Sequence, residues 1–96
     1  DIQSCDFMNE RTLLCVDDDR PVKTVHAVNL TAPLGGDVTS ARLSTALTLP
    51  LRGRSACTGD WESEGVDYDA TRQVLRVAAI EPLPCLLNTV VFRFAR

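Results

Sequence analysis

The chain carries few of the side chains from which catalytic sites are built. His26 is its one histidine, and no serine stands in a G-x-S-x-G elbow or a comparable nucleophile motif. A histidine that acts as a general base needs a nucleophile or an orienting acid beside it, and no such pattern surrounds His26. We therefore predict that His26 is a structural side chain at a sheet surface, that the protein is not an enzyme, and that it uses no cofactor.

Long apolar runs, basic charge and aromatic residues are also scarce. The longest stretches without a charged residue, 24–36 and 82–92, are too short for a bilayer-spanning helix and contain proline or glycine. The net charge of −3 disfavours nucleic acid and anionic membrane as partners. With three Phe, one Trp and one Tyr, the core must consist mainly of Leu, Val and Ala. We expect no membrane insertion and no nucleic-acid binding.

Cysteine, in contrast, is abundant for a chain of 96 residues. The four cysteines are Cys5, Cys15, Cys57 and Cys85. Structural zinc sites need closely spaced ligand pairs such as C-x-x-C, which these positions do not provide. An even number of cysteines in a short chain instead indicates two disulfides, which persist in oxidising compartments. We predict a periplasmic or extracellular protein, and the absence of a basic, apolar leader is what a mature exported product would show.

The sequence permits three ways of pairing these cysteines. We favour Cys5–Cys15 together with Cys57–Cys85, because Asn9 and Glu10 can turn a hairpin between the first two. In the loop-entropy description the smaller ring contributes about 3 kcal/mol and the larger about 3.5 kcal/mol.

The clearest structural signal is the alternation of residue types over 39–52. One parity holds Ala41, Leu43, Thr45, Leu47, Leu49 and Leu51. The other parity is mainly polar, with Ser40, Arg42, Ser44, Thr48 and Arg52. A period of two predicts a half-buried β-strand with the first set of side chains inside and the second set in water.

Shorter segments of β-type composition lie at 11–16, 21–31, 66–68, 73–80 and 86–95, separated by turns rich in Gly, Pro and Asp. No run of convincing length has a helical period. We predict one domain, 1–96, with an all-β fold: a small antiparallel sandwich or barrel of about seven short strands with two disulfides. The alternative is an α+β fold with one short N-terminal helix near 6–11.

Half of residues 60–69 are acidic, and the single Trp and single Tyr lie among them. The predicted partner-binding residues are Asp60, Trp61, Glu62, Glu64, Asp67 and Tyr68. If 60–64 is extended, the carboxylates at 60, 62 and 64 share one face, opposite the side chains at 61 and 63. An exposed aromatic among carboxylates suits recognition of a basic protein. The alternatives are that Trp61 is a core residue, which is the commoner arrangement for tryptophan, or that the stretch binds carbohydrate.

The acidic triplet Asp17-Asp18-Asp19 suggests Ca²⁺ as a ligand, because hard cations take several carboxylate oxygens. The triplet lacks the spacing of an EF-hand loop, and consecutive side chains on an extended chain point apart. We predict a solvated turn there, and no metal site.

Three functions remain open. The first is an exported protein-binding module, such as an inhibitor or immunity-type factor for a basic protein. The second is a structural or accessory subunit of an envelope or secretion assembly, which would pair through a sheet edge. The third is a carrier of a small apolar ligand, which would need a cavity between sheets. The oligomeric state stays open.

Overall fold

The computed structural model describes residues 2–18, 23–35, 40–49, 61–81 and 89–95. These residues form seven strands and no helix: β1 Ile2–Asn9, β2 Thr12–Asp17, β3 Thr24–Leu30, β4 Ala41–Thr48, β5 Glu62–Asp69, β6 Val74–Ile80 and β7 Thr89–Ala95. They make two antiparallel sheets, one in the order β1-β2-β3-β4 and the other in the order β5-β6-β7. The predicted antiparallel all-β fold is confirmed. The alternative N-terminal helix near 6–11 is wrong, because residues 6–9 continue β1 into its hairpin with β2.

A disulfide joins the two strands of the first hairpin. Glu10 and Arg11 make the turn, and the Arg11 N–H donates to Asn9 Oδ1 over 2.9 Å, which is a side-chain mimic of a backbone turn. Cys5 and Cys15 lie directly opposite each other in the register and are bonded. The predicted Cys5–Cys15 pair is confirmed. Residues 57 and 85 lie outside the described residues, so the second pairing stays a prediction.

A hydrophobic cluster joins the two sheets. The four-stranded sheet and the residue after β4 contribute Leu14, Val16, Val25 and Leu49, and β6 contributes Leu75 and Val77. Half-buried side chains surround this cluster: Met8, Ala27, Leu47, Val66, Tyr68, Phe92 and Phe94. The buried centre thus consists of Leu and Val, which agrees with the scarcity of aromatic residues.

The burial predicted for 39–52 is partly wrong. In the register with β3, Leu47 pairs with Val25 but Thr45 pairs with the next residue, His26, so that Ala46 is an extra, bulged residue. The bulge reverses the two faces of the strand. Leu47 and Leu49 point into the core, whereas Leu43, predicted to be buried, is 68% exposed. Residues 39 and 50–52 lie outside the described residues.

The neighbouring strands explain this reversal. Without the bulge, Leu43 would share the inner face with Asn29 of β3 and Thr12 of β2, which are linked there by a side-chain hydrogen bond of 3.4 Å. With the bulge, Ser44 takes the inner position and hydrogen-bonds to Asn29, also over 3.4 Å. Leu43 instead aligns with the apolar Val28 on the outer face. The bulge therefore places the polar Arg42 opposite Asn29 and the apolar Leu43 opposite Val28.

Candidate functional site

One side of the molecule, between β1 and β5, is closed by hydrogen bonds that aspartate side chains accept from the backbone of β5. Asp6 on β1 accepts the backbone N–H of Tyr68 over 2.7 Å, and Asp18 accepts the backbone N–H of Ser63 over 3.0 Å. Both donors lie on β5, which is an outer strand of its sheet. Two carboxylates thus satisfy N–H groups on β5 that pair with no strand in the described ranges, and these two groups are not available to another chain.

An ion pair between a buried lysine and a half-buried aspartate reinforces the closed side. Lys23 is 2% exposed, and its Nζ lies 2.7 Å from the same Asp18 Oδ1 that binds the Ser63 N–H. The backbone carbonyl of Lys23 accepts the N–H of Leu49, and this hydrogen bond anchors the end of β4. Asp18 therefore connects the two sheets and neutralises a buried cation at once.

The other side of the four-stranded sheet ends in β4. The Thr31 N–H donates to the Ser40 carbonyl over 3.0 Å, so the backbone groups of Ser40 point toward β3. Along a strand of an antiparallel pair, successive residues direct their backbone N–H and C=O groups alternately toward and away from the partner strand. Ala41, Leu43 and Thr45 therefore direct their N–H and C=O groups away from β3, and all three residues are exposed. Within the described ranges no strand pairs with this edge.

An apolar row crosses the outer face of the four-stranded sheet and ends at the same strand. Its members are in direct register: Phe7 with Leu13, Leu13 with Val28, and Val28 with Leu43. Phe7 and Leu43 at the two ends are exposed, and Leu34 in the loop after β3 lies beside Phe7 and is exposed as well. Several large apolar side chains on one face are unusual in a surface that meets only water.

Beneath β4, a cavity of about 240 Å³ opens between the sheets. Its lining is mainly apolar: Met8, Leu14, Ala46, Leu47, Tyr68, Gln73, Leu75, Phe94 and Ala95. The two polar side chains, Tyr68 and Gln73, provide a hydroxyl and an amide. Gln73 has a φ of +54°, a conformation that is uncommon for a residue other than glycine. The third function considered from the sequence required a cavity of this kind.

The acidic stretch is divided by a second bulge. Ser63 pairs with Ala79 and Gly65 with Ala78, which leaves Glu64 without a partner in the register. The extra residue reverses the faces of β5: Ser63 is buried before the bulge, and Tyr68 packs against the core after it.

The remaining predicted partner-binding residues are spread over this stretch. Trp61 and Glu62 are half-buried, and Glu64 is exposed at the bulge. Asp67 is exposed on the outer face and bound to the Arg76 guanidinium, with Nε 2.8 Å from Oδ2. Asp60 lies outside the described residues. The structure thus places Glu62 and Asp67 away from Tyr68, and it neutralises one of the carboxylates.

Asp69 ends β5 in a tight turn. Its Oδ1 accepts the backbone N–H of Arg72 over 3.0 Å, and its Oδ2 lies 3.3 Å from the Arg72 guanidinium. These hydrogen bonds, the backbone one foremost, lower the pKa of the Asp69 carboxyl below its ordinary value. The carboxylate caps the turn that follows β5.

The remaining sequence candidates are engaged locally. His26 Nε2 contacts Asp17 Oδ2 on the outer face of the four-stranded sheet, beside the disulfide. Asp18 points instead toward Lys23, so the first two aspartates of the triplet diverge, and residue 19 lies outside the described ranges. In the described part of the chain, no three His, Cys, Asp or Glu side chains come together in a way that could hold a metal ion.

Comparison with protein-family models, curated proteins and solved structures finds nothing significantly similar to this chain. Among the residues described, no helix has the length and apolar character needed to cross a membrane.

The sequence pattern singles out the acidic stretch, and it does not indicate where an open strand edge or a cavity lies. The pattern around Leu43 is the signal that could have found the edge. Each of the four strands contributes one apolar residue to the row on the outer face. These residues are far apart in the sequence, so the row can be recognised only when the register of the strands is known. The register in turn depends on the bulge at Ala46, which has no signature in the alternation of residue types.

Proposed function

We propose that this chain is an exported protein-binding module that recognises another polypeptide by pairing along β4. The observation that carries the proposal is the outward direction of the backbone groups of Ala41, Leu43 and Thr45, whose side chains are exposed. Edge pairing supplies affinity through main-chain hydrogen bonds and specificity through side-chain pockets. The apolar row on the outer face would supply the side-chain contacts.

The contrast between the two ends of the molecule supports this choice. On the closed side, Asp6 and Asp18 occupy the N–H groups of β5. Nothing of this kind occupies β4 in the described part of the chain, although an unprotected edge carries a risk of aggregation. The open edge of β4, in a protein whose β5 edge is capped, is therefore the edge that we propose for binding.

The test compares two charged substitutions at equally exposed apolar positions. Leu43, 68% exposed, lies on β4, and Val91, 58% exposed, lies on β7 of the other sheet. Oxidised protein is used as bait in the native envelope or secretome, and bound proteins are identified by mass spectrometry. We expect L43D to lose the partner and V91D to retain it. Hydrogen exchange of the complex should then protect the backbone amides of Ala41, Leu43 and Thr45.

The outcome that would contradict this proposal is protection confined to residues 61–67. That result would favour the recognition of a basic protein by Trp61 and the neighbouring carboxylates, as an inhibitor or immunity-type factor would do. An exposed Trp61 would then be quenched efficiently by acrylamide, and binding would weaken steeply with added salt.

The cavity supports a second candidate, a carrier of a small apolar ligand. A dry engineered cavity of about 150 Å³ is sufficient for benzene, so about 240 Å³ suits a small aromatic or a short aliphatic chain. Leu47 and Phe94 would contact the ligand body, and the Tyr68 hydroxyl or Gln73 amide its polar end. The test is titration with a fluorescent apolar probe. Binding that is weakened by L47W, which fills the cavity, and unaffected by L43D would support it.

Two broader parts of the proposal concern architecture and compartment. We propose that the two sheets form a sandwich, because the cluster around Val16, Val25 and Val77 draws on the inner faces of both. The Cys5–Cys15 disulfide is consistent with a non-cytoplasmic location, and we propose that the location is periplasmic or extracellular.

A further inference from the structure

The β4 edge carries some but not all of the features by which proteins prevent strands from pairing. The common ones are proline, lysine, inward-pointing charges, bulges and short length. The eight residues of β4 include no proline and no lysine, and the one charged side chain is Arg42, which lies opposite Asn29 on the inner face. The bulge at Ala46 interrupts the edge, which leaves 40–45 as a regular stretch. Such a stretch is complementary to any extended chain, including an identical one.

Self-pairing of this strand is limited to a few registers. An antiparallel pair of identical strands has one residue opposite its own copy. A centre at Arg42 would place two guanidinium groups opposite each other, which is destabilising. A centre at Ser44 or Thr45 would bring Ala46, and with it the bulge, into the ladder.

A centre at Leu43 avoids both problems. Arg42 then faces Ser44 of the second copy, and Ala41 faces Thr45. The three residues that direct their backbone groups outward, Ala41, Leu43 and Thr45, become the hydrogen-bonded positions, which gives about six new backbone hydrogen bonds. The backbone N–H and C=O groups that point away from β3 are thus the same groups that this register needs for its hydrogen bonds.

We propose that two copies of the chain associate through antiparallel β4–β4 pairing about a two-fold axis at Leu43. The inference rests on the proposed function only in taking β4 as the pairing edge, and it commits to a second copy as the occupant. The two four-stranded sheets become one continuous sheet with both outer faces on the same side.

The apolar row supplies the side-chain part of the interface. Leu43 is its most exposed member, and in the monomer it has Val28 as its neighbour on one side only. In the pair, Leu43 meets its own copy, so that the row from Phe7 to Leu43 continues into the second molecule. Burial of the Leu43 side chain and the new backbone hydrogen bonds therefore stabilise the same part of the interface.

The first experiment measures association of the full, oxidised chain by sedimentation equilibrium over a range of concentrations. We expect a reversible dimer. L43D places two carboxylates at the two-fold axis and should weaken dimerisation about tenfold or more. V91D is the matched control, with the same substitution at an exposed position on the other sheet, and should dimerise like the unmodified chain. Far-UV circular dichroism confirms that both variants fold.

The second experiment tests the register by oxidative cross-linking of introduced cysteines. L43C should form a covalent dimer, because position 43 lies opposite itself, within the Cα separation that a disulfide tolerates. T45C alone should not, although it lies on the same strand and face, because its opposite residue is Ala41. The double variant A41C/T45C should cross-link again. Equal cross-linking of L43C and T45C would overturn the register.

Failure of this inference is distinguishable from failure of the proposed function. Suppose that the chain is a monomer at all concentrations and that a captured partner protects the Leu43 amide from exchange. This result overturns self-pairing, but it supports binding of another protein at the β4 edge. A dimer that cross-links through L43C, with no partner captured, supports self-pairing and removes the heterologous partner. A dimer unaffected by L43D overturns the inference, because it must form through another surface.

Discussion

The sharpest test of the fold is removal of the Asp18 carboxylate. Its Oδ1 lies 2.7 Å from Lys23 Nζ and 3.0 Å from the backbone nitrogen of Ser63. Lys23 is 2% exposed, so its ammonium cannot turn to water when the partner is lost. Breaking one partner of a buried ion pair costs about 3–5 kcal/mol, and the lower end applies here, because Asp18 is 21% exposed and its backbone carbonyl, 3.5 Å from Nζ, remains in the variant. We expect D18A to lower the free energy of unfolding by that amount.

This loss is large for a domain whose net stability is about 5–15 kcal/mol. Each kcal/mol corresponds to about 4–8 °C of melting temperature at this size. Urea unfolding followed by far-UV circular dichroism measures the loss directly. D18N separates the two roles of Asp18, because its amide oxygen can still accept the Ser63 N–H. We expect D18N to lie between the unmodified chain and D18A.

The double variant D18A/K23M decides whether the buried charge is the cause. If it is, replacing Lys23 by an apolar side chain of similar length should restore most of the stability lost in D18A. A loss below about 1 kcal/mol in D18A, typical of exposed pairs, would refute the reasoning. So would a double variant that is no more stable than D18A.

Three further predictions concern single groups. S63A should leave stability unchanged or raise it by about 1 kcal/mol in urea unfolding, because the buried Ser63 Oγ has no hydrogen-bond partner in the described part of the chain. L47D should lower the free energy of unfolding by about 2–4 kcal/mol and T48D by less than about 0.5 kcal/mol, because Leu47 packs on the core and Thr48 is exposed. The Asp69 carboxyl should titrate by NMR below its ordinary pKa of 3.8, and its stabilising contribution should be present above that pH and lost as the pH falls through the lower, folded-state pKa. R72A should keep part of the depression, since the largest cause is the Arg72 backbone N–H, whereas R72P also removes that donor and should leave only the smaller contribution of the Thr71 N–H.

The features predicted correctly from the sequence are those with a local cause. The Cys5–Cys15 pair followed from a turn at Asn9 and Glu10, and the described structure has its turn one residue later, at Glu10 and Arg11. The segment 73–80, bounded by a turn and by Pro82, agrees closely with β6 at Val74–Ile80. Alternation and turn residues act over a few positions, so that one sequence is enough to locate them.

The β1 strand was missed because its residues show no clean alternation. Ile2–Asn9 includes two irregularities in its register with β2, between Ile2 and Ser4 and between Phe7 and Asn9. Its burial is set by where the rest of the molecule lies, with Asp6 turned toward β5 and Phe7 toward water. A long-range hydrogen bond to Tyr68, 62 positions away, leaves no trace in the local pattern.

The two interior bulges explain why the candidate site could not be located from the sequence. Each adds one residue, and each reverses which parity of its strand meets the core. At Glu64 the reversal turns Tyr68 inward and separates it from the carboxylates with which it was grouped. At Ala46 the reversal keeps Leu47 in the core but turns the Leu43 side chain to the outer face. The backbone N–H and C=O groups of Leu43 also point away from β3, toward the open edge. Leu43 thereby changes from an apparent core residue into an exposed large apolar side chain of β4, and the same geometry that exposes it also makes it available for pairing.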